Sequence, residues 1–126
     1  MQSIRSEDAP KAIGPYSQAI AYKDLLFVSG QIPINPRTGS IETTSIEDQT
    51  RQVIQNIQAI LSSGGSDLSR VLKCTVFLLD MQDFAPFNKV YGEYFPSAPP
   101  ARTTVQAAKL PRDAKIEIDV IAYRVA

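Results

Sequence analysis

The sequence predicts an α+β domain, one mixed sheet with two helices on the same face, spanning residues 1–126. Three observations predict it. Short segments of period-two apolar alternation are interleaved with two segments of helical period, in the order strands, helix, strand, helix, strand, strand. Strand–helix–strand crossovers of the usual right hand place both helices on one side of the sheet. The strands are nevertheless apolar on both faces, Leu25 and Phe27 opposing Leu26 and Val28. A second apolar face without helices is expected to bury itself against another copy, which predicts an oligomer.

Each element has its own warrant. Ala19–Tyr22 and Leu25–Ser29 read as a hairpin around the polar pair Lys23-Asp24. Pro33 and Pro36 bracket a turn that ends in Arg37-Thr38-Gly39. Ser45–Ser63 is the clearest helix, because Ser45 caps it and Asp48 completes a variant capping box. Ile46, Val53, Ile57, Ile60 and Leu61 then recur at helical spacing until Gly64-Gly65 ends the run. Val71–Leu79 is a strand expected to place Leu72, Cys74, Val76 and Leu78 on one side and Val71, Phe77 and Leu79 on the other. Asp83–Phe95 is the second helix, with Phe84, Phe87, Tyr91 and Tyr94 along one face and Pro86 in the first turn, where its missing N–H costs little. Pro99-Pro100 stop the chain before Ala101-Arg102, and Thr103–Ala108 and Lys115–Val125 are the last strands. In the final one Ile116, Ile118, Val120 and Ala122 alternate with Lys115, Glu117 and Asp119.

Composition excludes whole classes of chemistry. Thirteen basic residues balance thirteen acidic ones, so no overall field gathers a polyanion, and nucleic acid is not the expected partner. No apolar run reaches the ~18–20 residues of a membrane helix. Met1–Pro10 is polar, carries Glu7 and Asp8, and resembles neither a signal peptide nor an Arg-rich transit segment, so a cytoplasmic location is expected. Histidine is absent, which removes Ser–His–Asp and Cys–His nucleophiles, the common zinc sites and paired-histidine ribonuclease chemistry. Cys74 is the single cysteine, so no internal disulfide or thiolate cluster forms, as befits a reducing compartment. An enzyme of this composition moves protons with carboxylates, Tyr, Lys or bound water.

Four features suit chemistry, each with a plainer reading beside it. Ala12-Ile13-Gly14-Pro15-Tyr16-Ser17 is a rigid loop that presents Tyr16 at the start of the first hairpin strand, or a turn followed by a half-buried strand tyrosine. Ser29-Gly30-Gln31 ends a strand in a residue without a side chain, where a ligand can approach backbone amides or the strand simply bulges. Arg102, on rigid backbone at the mouth of a strand, suits bidentate capture of a carboxylate, or is an ordinary surface arginine. Glu117 lies mid-strand opposite Ile116 and Ile118, either on a solvated surface or enclosed by a subunit interface, where beside Arg102 it would serve as a general base. Asn88, one turn after Phe84, is the polar exception on an aromatic helix face, a ligand contact or a packing hydrogen bond.

In this order the features resemble the RidA family, also called YjgF or reactive intermediate deaminases. The stretches that carry the resemblance are Ala12-Ile13-Gly14-Pro15-Tyr16-Ser17-Gln18-Ala19, Val28-Ser29-Gly30-Gln31-Ile32-Pro33 and Gln52-Val53-Ile54-Gln55-Asn56-Ile57. The run from Asp83-Phe84 through Asn88 to Tyr91, then Pro100-Ala101-Arg102, Leu110-Pro111 and Lys115-Ile116-Glu117-Ile118 extend it over nearly the whole chain. The resemblance implies a chorismate-mutase-like fold assembled as a homotrimer around a central barrel, with active sites in the clefts between subunits. It implies hydrolysis of reactive enamines and imines, such as 2-aminoacrylate and 2-aminocrotonate, to 2-keto acids and ammonia, without a metal or organic cofactor. On matching positions Arg102 would anchor the substrate carboxylate, and Glu117 would position or activate water and manage protons. Tyr16, Ser29, Gly30 and Asn88 would line the pocket, and Phe84 would add an apolar wall. Arg102 and Glu117 are expected on adjoining late strands, with Tyr16 contributed by a neighbouring subunit.

One position departs from the pattern. Many deaminating members carry cysteine two residues after the anchoring arginine, where this chain has Thr104. Threonine can supply the backbone contact and shape expected there, but not thiol chemistry. Cys74, on the apolar side of its strand, reads as a small buried hydrophobe. Two other functions compete with the deaminase: a non-catalytic trimer that binds small 2-keto or other carboxylic acids, for which Glu117 is dispensable, and the RNA cleavage or translation inhibition attributed to some members.

Overall fold

The computed structural model describes residues 1–125. Among them the chain runs β1 (Gln2–Ile4), β2 (Ala19–Tyr22), β3 (Leu25–Gln31), β4 (Ile34–Asn35), β5 (Ser40–Ile41), α1 (Ile46–Ser63), β6 (Val71–Leu78), α2 (Phe84–Tyr94), β7 (Ala101–Gln106) and β8 (Ile116–Tyr123). Six strands form one mixed sheet in the order β1-β2-β3-β8-β6-β7, while β4 and β5 make a separate small hairpin. Among the described residues only β6 and β7 pair in parallel, and α2 is the crossover that such a pair requires. Both helices pack on one face, so the α+β architecture predicted from periodicity is the observed one.

Helix α1 begins as its sequence dictates. The Ser45 side chain accepts the Asp48 N–H at 3.1 Å. The capping box is only half made, because the Asp48 carboxylate turns instead to Arg51, 3.0 Å away. At the other end the Gly64 N–H donates to the Ile60 and Leu61 carbonyls. Val53, Ile57, Ile60 and Leu61 are buried against the sheet. Gly64 also lets strand β3 come close: a Cβ there would lie 2.8 Å from Leu26 Cδ1. In α2, Phe87 and Tyr91 are core, whereas Phe84 and Tyr94 are half-buried at its margin.

Several boundaries differ from expectation for identifiable reasons. Strand β6 bulges against β8 between Val71 and Lys73, which turns Leu72 out and Val71 in. Leu72 is therefore 45% exposed, and the core side of β6 is Val71, Cys74, Val76 and Leu78. Strand β7 starts at Ala101, two residues earlier than expected, so Arg102 lies within a strand and not at its mouth. The β4–β5 hairpin occupies the segment around Pro33–Gly39 that reads as a turn, and β1 adds an edge strand from the polar N-terminal stretch.

The second face of the sheet carries Tyr22, Phe27, Val105 and Tyr123, each 40–53% exposed, in the rows fixed by strand pairing. No helix among the described residues is long and apolar enough to cross a membrane.

Candidate active site

The residues singled out from sequence fall into two clusters, one on each face of the sheet. The first surrounds Glu117. Strand β3 loses register with β8 between Val28 and Gln31, and Gly30 sits in that bulge. Of the two sequence readings of Gly30, the bulge is the one observed, and a side chain approaches it closely. What approaches is the Glu117 side chain, since a Cβ on Gly30 would lie 2.2 Å from Glu117 Oε2. Ser29 is held by its own bonds, its hydroxyl donating to the Ser17 carbonyl at 2.6 Å and its N–H to the Gln18 carbonyl at 2.9 Å. Tyr16 is not a strand residue. It stands three residues ahead of β2, half exposed, its N–H donating to the Gly14 carbonyl and its hydroxyl accepting the Ile13 N–H at 3.4 Å.

Tyr16, Ser29, Gly30 and Glu117 line one cleft of about 460 Å³, walled on its apolar side by Ile13, Ile32, Ile34 and Pro111. Burial pushes the Glu117 carboxyl above its usual range, and the neighbouring Asp119 charge pushes it further. Asp119 is itself raised by burial, partly offset by a hydrogen bond from Thr75 and by Lys73. A half-buried carboxylate with no cation paired to it among the described residues suits proton transfer better than structural pairing. Asp119 was legible in the two-residue spacing from Glu117, which puts both on one face of β8.

The second cluster surrounds Arg102. Arg102 pairs with Cys74 on β6, which in turn pairs with Val120 on β8, and both of these are buried on the helix side. Its guanidinium lies 5.6, 5.2 and 4.8 Å from the ring centres of Phe84, Phe87 and Tyr91. It forms no ion pair among the described residues. Arg102 and Asn88 line a cleft of about 450 Å³ with Tyr91, Phe95 and Pro99. Phe84 forms no separate wall but lies beneath the guanidinium. The Thr104 hydroxyl, on the same side of β7, is buried and without a hydrogen-bond partner, so it is not presented to the cleft. Cys74 is buried as expected, and burial raises its thiol pKa.

The expectation that Arg102 and Glu117 share adjoining strands is not met. Strand β6 lies between β7 and β8, and Glu117 pairs with Phe77 on the open face while Arg102 faces the helices. The side-chain alternation of a strand decides this. Within one copy the guanidinium and the carboxylate have a sheet between them. No cluster of three or more His, Cys, Asp or Glu side chains fit to hold a metal occurs among the described residues.

Comparison with known proteins shows the family of the chain. The family described as Endoribonuclease L-PSP is matched over residues 6–124. A RutC family protein of Pyrococcus horikoshii is 55% identical over 96% of each chain. The chloroplastic Reactive Intermediate Deaminase A of Arabidopsis thaliana is 49% identical over 94% of this chain and 64% of that protein. Among solved structures, E. coli TdcF with bound serine superposes with a TM-score of 0.95 at 41% identity, covering 99% of this chain and all of the other. A profile matching almost the full length, joined to relatives this similar, makes the chain a member of the YjgF/RidA family.

Proposed function

We propose that the protein is an enamine/imine deaminase, which hydrolyses 2-aminoacrylate, 2-aminocrotonate and their imine tautomers (2-iminopropanoate and 2-iminobutanoate) to 2-keto acids and ammonia. The observation that carries this reading is the pair of half-sites: an uncommitted guanidinium on one face of the sheet and a desolvated carboxylate on the other. Two copies packed side by side complete each other's site, whereas one copy cannot. The apolar open face supports such packing, and the family resemblance sets the assembly at a homotrimer. A plant relative named as a reactive intermediate deaminase and a bacterial neighbour holding serine support a small amino-acid-derived ligand.

The chemistry follows from the groups available. Arg102 pairs both oxygens of the substrate carboxylate and sets the imine carbon above the Glu117 cleft of the neighbouring copy. Glu117 takes a proton from water as its oxygen bonds to that carbon, and the C=N electron pair moves onto nitrogen. The protonated carboxyl then returns the proton to nitrogen, which gives a carbinolamine. Glu117 next takes the hydroxyl proton and passes it to nitrogen as the C–N bond breaks, so that C=O forms and ammonia leaves the 2-keto acid behind. Tyr16, Ser29, Gly30 and Asn88 shape the pocket around these steps. Thr104 shapes the strand below Arg102 and donates to no ligand in this arrangement. An imine is already electrophilic, so the mechanism calls on no metal or organic cofactor. A dehydratase-type source of imines in the cytoplasm fits the same reading.

A coupled assay tests it. A serine or threonine dehydratase generates the enamine, and 2-keto acid and ammonia release are followed with the parent, Arg102→Ala and Glu117→Ala. Acceleration by the parent and none by either variant is the expected result. A parent that binds 2-oxobutanoate but hydrolyses no faster than buffer is a carboxylate binder instead. The name Endoribonuclease attached to the family gives RNA as the control substrate; with balanced charge and no histidine, no RNA cleavage dependent on Arg102 or Glu117 is expected.

The pH dependence has a definite sign. Glu117 must be ionised to take the proton, so turnover falls as pH drops through its raised pKa. Asp119→Asn removes the charge that contributes to that rise. The acid limb of kcat/KM is expected to move to lower pH in this variant, with the plateau retained. An unmoved limb would separate Glu117 from the titration that governs rate.

A further inference from the structure

We propose that Phe87 and Tyr91, together with Phe84, are positioning residues for Arg102: an aromatic platform that fixes the guanidinium plane while leaving its N–H donors uncommitted. The proposal rests on reading Arg102 as the carboxylate anchor. Its basis is the geometry of α2 against β7. Residues 84, 87 and 91 recur at the i, i+3, i+7 spacing of one helix face, and all three ring centres lie 4.8–5.6 Å from the guanidinium carbon. The rings brace one another, with centres 6.5 Å apart for Phe84–Phe87, 5.4 Å for Phe87–Tyr91 and 4.6 Å for Tyr91–Phe95. Phe87 and Tyr91 are buried at 0% and 5% exposure, so the platform is part of the core and not a mobile surface.

The alternative way to hold an arginine is an acidic partner. A carboxylate on the protein would fix Arg102 equally well, but it would occupy the in-plane N–H pair that a substrate carboxylate needs. Ring faces attract the cation through their quadrupole and make no claim on its donors. Arg102 has the second arrangement, since no acidic group pairs with it among the described residues. The flexible side chain is thereby ordered before the ligand arrives, which lowers the cost of binding.

Tyr91 distinguishes a role for the ring from one for the hydroxyl. Its hydroxyl is buried and turned to the Cys74 thiol, so it offers nothing to a ligand in the cleft. What Tyr91 contributes to Arg102 is its π face. Phenylalanine should supply that face, and leucine should not.

Binding of 2-oxobutanoate by calorimetry, alongside KM and kcat in the coupled assay, tests the platform. Tyr91→Leu and Phe87→Leu are expected to weaken binding about tenfold each and to raise KM in step, with kcat changed by less than about twofold. Tyr91→Phe is expected to recover most of the affinity lost in Tyr91→Leu. Phe84→Leu, at a half-buried ring, gives a smaller loss in the same direction and serves as the readout if a core leucine variant does not fold. Parent-like binding in the leucine variants, with binding lost in Arg102→Ala, would overturn the platform alone. So would a Tyr91→Phe variant as weak as Tyr91→Leu. Parent-like binding in Arg102→Ala would overturn the anchor reading, and the platform with it.

Discussion

Arg102→Ala and Glu117→Ala, each inactive alone, are expected to recover about a quarter of the parent turnover when the two chains are co-expressed in equal amounts as mixed trimers. The expectation comes from strand geometry. Arg102 faces the helices from β7, Glu117 faces the open side from β8, and β6 separates the two strands. A site that needs both groups must therefore take the guanidinium from one copy and the carboxylate from the next. In a mixed trimer one junction of the three joins an intact Arg102 to an intact Glu117, and with random mixing about three quarters of the trimers are mixed. Loss of the base alone should cost about 10²–10⁴-fold, so the recovered activity stands far above either single variant. Turnover of the unfractionated mixture checks the quarter, and mixed trimers purified through both tags should reach about a third of the parent value. No recovery at any mixing ratio would mean that each site is built within one copy.

That separation of the two groups was not legible in the sequence, and the reason is specific. Period-two alternation gives the face of a residue only relative to its own strand. It placed Glu117 opposite Ile116 and Ile118 correctly, and these are core residues. For β7 the pattern Arg102-Thr103-Thr104-Val105 has no apolar side to orient it, and strand order is set by long-range pairing that alternation does not record. The bulge that turns Leu72 outward is hidden for the same reason: a register shift against β8 leaves no mark on an apolar run. Helix α1 was legible to within a residue, because Ser45, the apolar spacing and Gly64 are local signals that agree. The rings of Phe87 and Tyr91 were legible as core, but their contact with Arg102 depends on where the crossover sets α2 over β7. The glycine of Ser29-Gly30-Gln31 marked the bulge, but that Glu117 lies against it follows from the pairing of β3 with β8, which alternation does not record.

Gly30→Ala is expected to lower turnover about 100-fold while leaving the protein folded, an effect out of proportion to one methyl group. A Cβ at this position would lie 2.2 Å from Glu117 Oε2 and 2.9 Å from Cδ, closer than non-bonded atoms approach, and 3.2 Å from Cγ, a tight contact. The obstructing atoms are the end of a flexible side chain, not backbone, so the carboxylate swings away and the strands stay paired. Gly30 is not among the residues with positive φ, so alanine meets no conformational penalty in the bulge. Its smaller unfolded-state entropy offsets part of any local strain, by about 0.4–1 kcal/mol. The urea midpoint should consequently stay near that of the parent while kcat falls. Binding of 2-oxobutanoate should weaken far less than turnover, because its main anchor, Arg102 on its aromatic rings, lies on the other face of the sheet and reaches the Gly30 cleft only from a neighbouring copy. A loss of stability equal to the loss of activity would show that Gly30 serves the bulge and not the carboxylate. Parent-like turnover would show that the reaction tolerates a displaced Glu117, and the general-base role would have to pass to another group in that cleft.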